Sequence, residues 1–272
     1  MRKKKASQMI MGAIVLFFLA AVLVSVFFIV RLACSYLSSR KANAMLSEIA
    51  LQTPEPAPTA SPAVKAIAEP VAAKEAAPSA ELPVTVDWEE LKSVNREIAA
   101  WLYCEGTPIN YPVVQHKDNE YYIGRNAQRK KDDAGALFFD CRNNVGVDGE
   151  NMIIYGHRMR DNSMFGVLPE YSDMSYYDRH PEMYLLTPDR NFRIDIFACR
   201  TVRATIKYFP TSFCSRDAFL EYAEKANGQS YWQNANYINS EGVALLTLVT
   251  CSNYSHADNP RLQVMGWAIP LD

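Results

Sequence analysis

Residues 9–30 run 22 positions without a charged side chain, from Met9 through Phe17, Leu23 and Ile29 to Val30. No other stretch restricts the chain so strongly. A run this apolar satisfies its backbone in hydrocarbon by forming a helix. At about 1.5 Å per residue it spans roughly 33 Å, enough to cross a bilayer core. It is too long for the apolar region of a typical cleaved signal peptide. Arg2, Lys3, Lys4 and Lys5 precede it. Their positive charge places residues 1–8 in the cytoplasm and everything after Arg31 outside the cell membrane, as a single-pass topology. Arg31, Arg40 and Lys41 weaken that asymmetry.

Ser35–Ala50 suits a short helix leaving the membrane. From Gln52 to Pro83 the sequence is dominated by Ala, Pro and Glu, without an aromatic residue. Such a composition buries too little apolar surface to offset the entropy of ordering, and predicts an extended linker. The expected organisation is therefore a cytoplasmic start (1–8), a membrane span (9–30), an extracytoplasmic Pro/Ala-rich stalk (31–83) and a folded domain (84–272). The formal net charge of −2 gives no reason to expect nucleic acid as a partner. No zinc-type spacing, P-loop or dinucleotide fingerprint is present, so no metal and no cofactor is expected. The six cysteines are scattered and never form C-x-x-C. Cys104, Cys141, Cys199 and Cys214 are read as reduced core residues.

Within 84–272, Asp87 precedes Trp88-Glu89-Glu90 as a helix cap with a carboxylate three residues on. Trp88, Leu91, Ile98 and Leu102 share one face of the helix this predicts. Short strands follow at Ile109–Gln115, Ala136–Asp140, Asn151–Gly156, Met183–Leu186, Phe192–Ala198, Val243–Thr250 and Leu262–Ile269. Ser215–Ala226 reads as a capped helix between the fifth and sixth. Seven strands, with room for an eighth, predict a closed or nearly closed antiparallel barrel.

Three residues that could carry chemistry stand at strand ends. Cys251 closes the apolar run Leu245–Thr250, His157 follows Asn151–Gly156, and Arg261 opens the last strand. A free thiol has a pKa of about 8.5, and a neighbouring imidazolium or guanidinium favours the thiolate. The imidazole can carry a proton between thiol and amine, and an Arg can donate to an oxyanion. Together these describe acyl transfer through a thioester. Of the other histidines, His116 and His180 are read as solvated. His256 stands in the loop after Cys251 and is the alternative imidazole.

Thr247-Leu248-Val249-Thr250-Cys251 matches the TLxTC signature of sortases, the membrane-anchored transpeptidases of Gram-positive bacteria. Asn151–His157 followed by Ser163-Met164-Phe165-Gly166 resembles that family's histidine strand and the helix after it. Arg261 stands at its arginine position. The likeness covers Asp87–Ile269, and the two helices flanking the early strands resemble class B sortases most. The resemblance implies a mainly β fold: an eight-stranded sortase-type β-barrel with a preceding helix and a helix before the Cys strand. It implies Cys251 as nucleophile, His157 as general acid/base and Arg261 as oxyanion and substrate stabiliser, with Thr250, Ser252 and Tyr155 contacting substrate. It implies cleavage of a Thr-Gly or Thr-Asn bond in the C-terminal sorting motif of a surface protein. The acyl group would pass to a peptidoglycan precursor amine or a pilin lysine. Two other readings fit the same anchor and linker: a catalytically silent peptide-binding domain, and a cysteine protease that only hydrolyses.

Overall fold

The computed structural model describes residues 2–52, 82–203, 208–234, 242–251 and 260–271. The first element is one continuous helix, α1 (Arg2–Ala50). No Pro or Gly interrupts residues 31–50, so the membrane-type run and the expected short helix join without a break. Large apolar side chains from Met11 to Leu32 face outward, with Leu16, Phe17 and Leu23 about 70% exposed (69%, 71% and 69%). The helix is long and apolar enough to cross a membrane. Its last turns behave differently. Ser39, Leu46 and Ala50 are buried, Asn43 is half-buried, and these four recur at helical spacing on one face.

Leu46 and Ala50 join the apolar cluster of Leu91, Trp101, Val114 and Tyr122. The chain then forms strand β1 (Leu51–Gln52), which pairs antiparallel with β2 (Thr85–Val86). The Asp87 N–H donates to the Ala50 carbonyl at 2.9 Å. This differs from the expected stalk. Its first twenty residues continue α1 and end packed on the folded domain, and Gln52 pairs with Thr85 just beyond its far end. Residues 53–81 lie outside the described residues.

Helix α2 (Trp88–Val94) starts at Asp87, whose carboxylate accepts from the Glu90 N–H at 3.0 Å. It stops at Asn95, well short of the Trp88–Leu102 span expected. Ile98 and Leu102 instead belong to strand β3 (Ile98–Tyr103), the eighth strand. Ala100 and Leu102 face the barrel interior, while Ile98 and Trp101 pack under α1 and α2. A strand buried on both faces shows no polar alternation, so its sequence imitates a helix face.

The other strands are β4 (Asn110–Val114), β5 (Leu137–Phe139), β6 (Asn151–His157), β7 (Glu182–Leu186), β8 (Asn191–Val202), β9 (Ala244–Cys251) and β10 (Arg261–Leu271). They close into a barrel in the order β10-β8-β7-β3-β4-β5-β6-β9. The barrel is not wholly antiparallel: β4–β5 and β6–β9 pair in parallel. Its interior is filled by Leu102, Phe139, Ile154, Leu248, Val264 and their neighbours. Helix α3 (Met174–Arg179) follows a 3-10 turn at Leu168–Ser172. Helix α4 (Arg216–Gly228) is capped by Ser215, whose hydroxyl accepts from the Ala218 N–H at 3.2 Å. It lays Phe219, Ala223 and Ala226 over Phe197, Leu245, Met265 and Trp267 outside the barrel. Burying Trp267 fully there makes its truncation to Ala cost about 3–5 kcal/mol. Among the described cysteines, Cys104 and Cys199 are buried, as expected, and Cys141 is half-buried. Cys214 is exposed, contrary to its reading as core, because it lies in the bend just before α4.

Candidate active site

The parallel pairing of β6 with β9 builds the site. Antiparallel neighbours would put the ends of β6 and β9 at opposite rims. Parallel pairing puts both C-terminal ends at one rim, with His157 directly opposite Cys251. On the other side of β9, β10 runs antiparallel with Gln263 opposite Val249. The β10–β9 ladder ends at that pair, and Arg261 opens β10 two residues before it, paired with Val202 of β8. Leu262 N–H donates to the Thr250 hydroxyl at 3.1 Å, which ties the two strand ends together there. The fold therefore places His157 beside Cys251 on neighbouring strands, with Arg261 at the first residue of the next strand along. Paired positions on adjacent strands share a sheet face and lie about 5 Å apart.

Buried polar groups hold that register. The Thr247 hydroxyl donates to Asn151 Oδ1 at 2.7 Å, across β9 and β6. Asn151 Nδ2 donates to the Pro210 carbonyl at 2.9 Å. Asn143 receives the Ile153 N–H at 2.8 Å and donates to the Asn151 carbonyl at 2.8 Å.

His157 is half-buried, and that burial pushes its imidazole below the ordinary histidine pKa. Its carbonyl accepts from the Phe165 N–H at 3.0 Å. The preceding Gly156 has no room for a side chain. A Cβ there would meet Leu137 Cδ2 at 2.4 Å and Phe165 Cδ2 at 2.6 Å.

Tyr155 is 6% exposed and stacks near Phe138 in the outer apolar layer with Val249. Its hydroxyl donates to Asp140 Oδ2 at 3.1 Å. Burial and the Asp140 charge raise its pKa. Asp140 is fully buried, and Arg142 binds it twice, at 2.8 and 2.7 Å. Burial alone would raise the Asp140 pKa, but the Arg142 bonds bring it below the usual carboxylate range. The sequence reading missed this pair. Its only signal was an acid closing the apolar run Ala136–Phe139.

Thr250 is buried and lines a cleft of about 860 Å³. Leu262, Arg158 and Arg160 line the same cleft, and Leu32, Ser35 and Tyr36 of α1 form part of its wall. That contribution from α1 was also missed. Ser252 and His256 lie outside the described residues. His116 is not solvated as expected: it contacts Asp118 at 3.0 Å and stacks on Tyr121 at 4.4 Å. His180 contacts the Glu105 carbonyl at 3.0 Å.

A sortase-domain family model matches residues 102–268. The chain belongs to the sortase family. This sortase is 33% identical over 177 residues to sortase B of Listeria monocytogenes, covering 65% of this chain and 72% of that one. Among solved structures it is similar to sortase B of Bacillus anthracis in complex with AAEK1, with TM-score 0.68 and 28% identity. That match covers 87% of this chain and 99% of the other. It is also similar to a sortase B–substrate complex from Staphylococcus aureus, with TM-score 0.63, 26% identity, and coverage of 68% and 85%. The closed eight-stranded barrel is the sortase barrel. The chain is a class B sortase, a cysteine transpeptidase of cell-wall sorting.

Proposed function

We propose that this sortase is anchored by residues 9–30 with residues 1–8 in the cytoplasm, and that domain 84–272 acts outside the membrane. It cleaves a Thr-Gly or Thr-Asn bond in a surface protein's C-terminal sorting motif and passes the acyl group to a peptidoglycan amine. The observation that carries this reading is the pairing of His157 opposite Cys251 in parallel strands, with Arg261 opening the strand next to β9.

The Cys251 sulfur attacks the threonine carbonyl carbon, forming a C–S bond as the C–N bond breaks. His157 takes the thiol proton and gives it to the leaving amine. Its lowered pKa leaves it neutral at rest, as a base requires. Arg261 donates to the oxyanion of the tetrahedral intermediate. The acceptor amine then attacks the thioester, its proton passes through His157, and the thiol is restored. Thr250, which lines the cleft, and Ser252, next to the nucleophile in sequence, contact the bound peptide. Tyr155 supports the groove from beneath.

The test uses the full-length chain in detergent with peptides bearing each candidate motif, and triglycine as the amine. Mass spectrometry should show a thioacyl adduct on Cys251 and an amide product when triglycine is present. Full cleavage by Cys251→Ala sinks the reading. Acid product alone, undiverted by triglycine or a diaminopimelate-type amine, would make the protein a hydrolase instead.

A further inference from the structure

The loop Arg158–Met164, between His157 and Phe165, holds two non-glycine residues in the left-handed region. Asn162 has φ 61° and Met164 has φ 53°. Asn tolerates that conformation, but a bulky Met adopts it only when its surroundings fix it. Part of the fixing is internal. Asp161 Oδ1 accepts from the Ser163 N–H and hydroxyl at 3.2 and 2.6 Å, and the Gly166 N–H donates to the Ser163 carbonyl at 2.8 Å. Tyr111 accepts from the Met164 N–H at 3.0 Å. The remaining grip comes from α1. Arg40 Nε and Nη2 donate to Asp161 Oδ2 at 3.1 and 3.0 Å. Three residues on, Asn43 Nδ2 donates to the Met164 sulfur at 3.6 Å. The helix that presents them is itself fixed. Ser39 bonds Asp132, Ser35 bonds Asp133 at 3.3 Å, and Leu46 and Ala50 are fully buried.

We propose that α1 is a clamp on the active site, with Arg40 and Asn43 as positioning residues that hold the Arg158–Met164 loop and, through it, His157. The link to His157 is direct, since the loop closes on the Phe165 N–H to His157 carbonyl bond and the Arg158–Met164 bridge. The inference rests on the reading of His157 as the acid/base group. Arg40 is 60% exposed, so its ion pair adds little to global stability. What it changes is where the loop sits.

The experiment uses the full-length chain in detergent micelles, with Arg40→Ala plus Asn43→Ala, Asp161→Asn, and Arg40→Lys. Two quantities need no substrate: amide exchange of residues 158–166 against the barrel strands at 98–114, and the iodoacetamide alkylation rate of Cys251, mapped by mass spectrometry. In the double-Ala variant and in Asp161→Asn, loop exchange should accelerate about tenfold while the barrel reference stays fixed. Cys251 alkylation should change in the same two variants. Arg40→Lys should restore both towards wild type. Unchanged loop exchange in the double-Ala variant, or an Arg40→Lys variant as loose as the Ala one, overturns the clamp. If His157→Ala leaves the alkylation rate of Cys251 untouched, the acid/base reading fails, and loop exchange still judges the clamp independently.

Discussion

Asp140 keeps its negative charge without any solvent contact because Arg142 and Tyr155 supply donors to both oxygens. Tyr155→Phe removes one of them and should cost about 1–2 kcal/mol in a denaturant titration, with cleavage retained. If Tyr155→Phe abolished cleavage at unchanged stability, the hydroxyl would have to act on substrate directly. The Asp140 carboxyl has a lowered folded-state pKa, so it stabilises the fold above the ordinary carboxylate value. That contribution is lost as pH falls from about 4 through the lower folded value. His157 shifts the same way for a different reason, burial. The base proposed here must be neutral, so, if His157 fills that role, the acidic limb of kcat/KM falls below the ordinary histidine value of about 6.5. A limb at or above 7 would contradict the burial of this imidazole. The strand-end positions of Cys251, His157 and Arg261 were legible in the sequence because each bounds an apolar run. Asp140 was not, since nothing local distinguishes a buried acid from a turn residue.

The pairing of β6 with β9 depends on polar groups that no periodicity reveals. Asn151→Ala leaves the Thr247 hydroxyl and the Pro210 carbonyl without that partner inside the protein. It should destabilise by about 2–4 kcal/mol in thermal or chemical unfolding. Activity should fall further than stability explains, since the pairing register sets His157 opposite Cys251. A variant as stable and active as the parent would show that the backbone ladder holds the register alone. Seven strands could be read from sequence, being short, apolar and bounded by turn residues. The eighth, β3, was hidden by burial on both faces. The parallel pairing was hidden for a broader reason: strand patterns carry side-chain faces, not neighbours. Two strand-end residues 94 positions apart become partners only through topology (251 − 157).

For the whole molecule, the connection between α1 and the barrel departs most from the sequence expectation. Composition predicts a linker but does not say that the residues flanking it pair with each other. With β1 on β2 and Ala50 bonded to Asp87, the segment 53–81 leaves and re-enters the domain at one place. Doubling such a loop costs only about 0.6 kcal/mol. Deleting half of 53–81 should therefore leave melting temperature and activity unchanged within error. Inserting a flexible Gly-Ser stretch between Val30 and Leu32 should impair turnover on membrane-held substrate while sparing it on soluble peptide. The opposite pattern would restore the stalk. Leu32, Ser35 and Tyr36 line the cleft and come two to six residues after Val30. With residues 9–30 in the bilayer, as proposed, that is roughly 3–9 Å of helix. The enzyme's working height is then fixed at the lipid surface, and a longer Pro/Ala segment would not let it reach into the wall. Its substrates must be brought down to it.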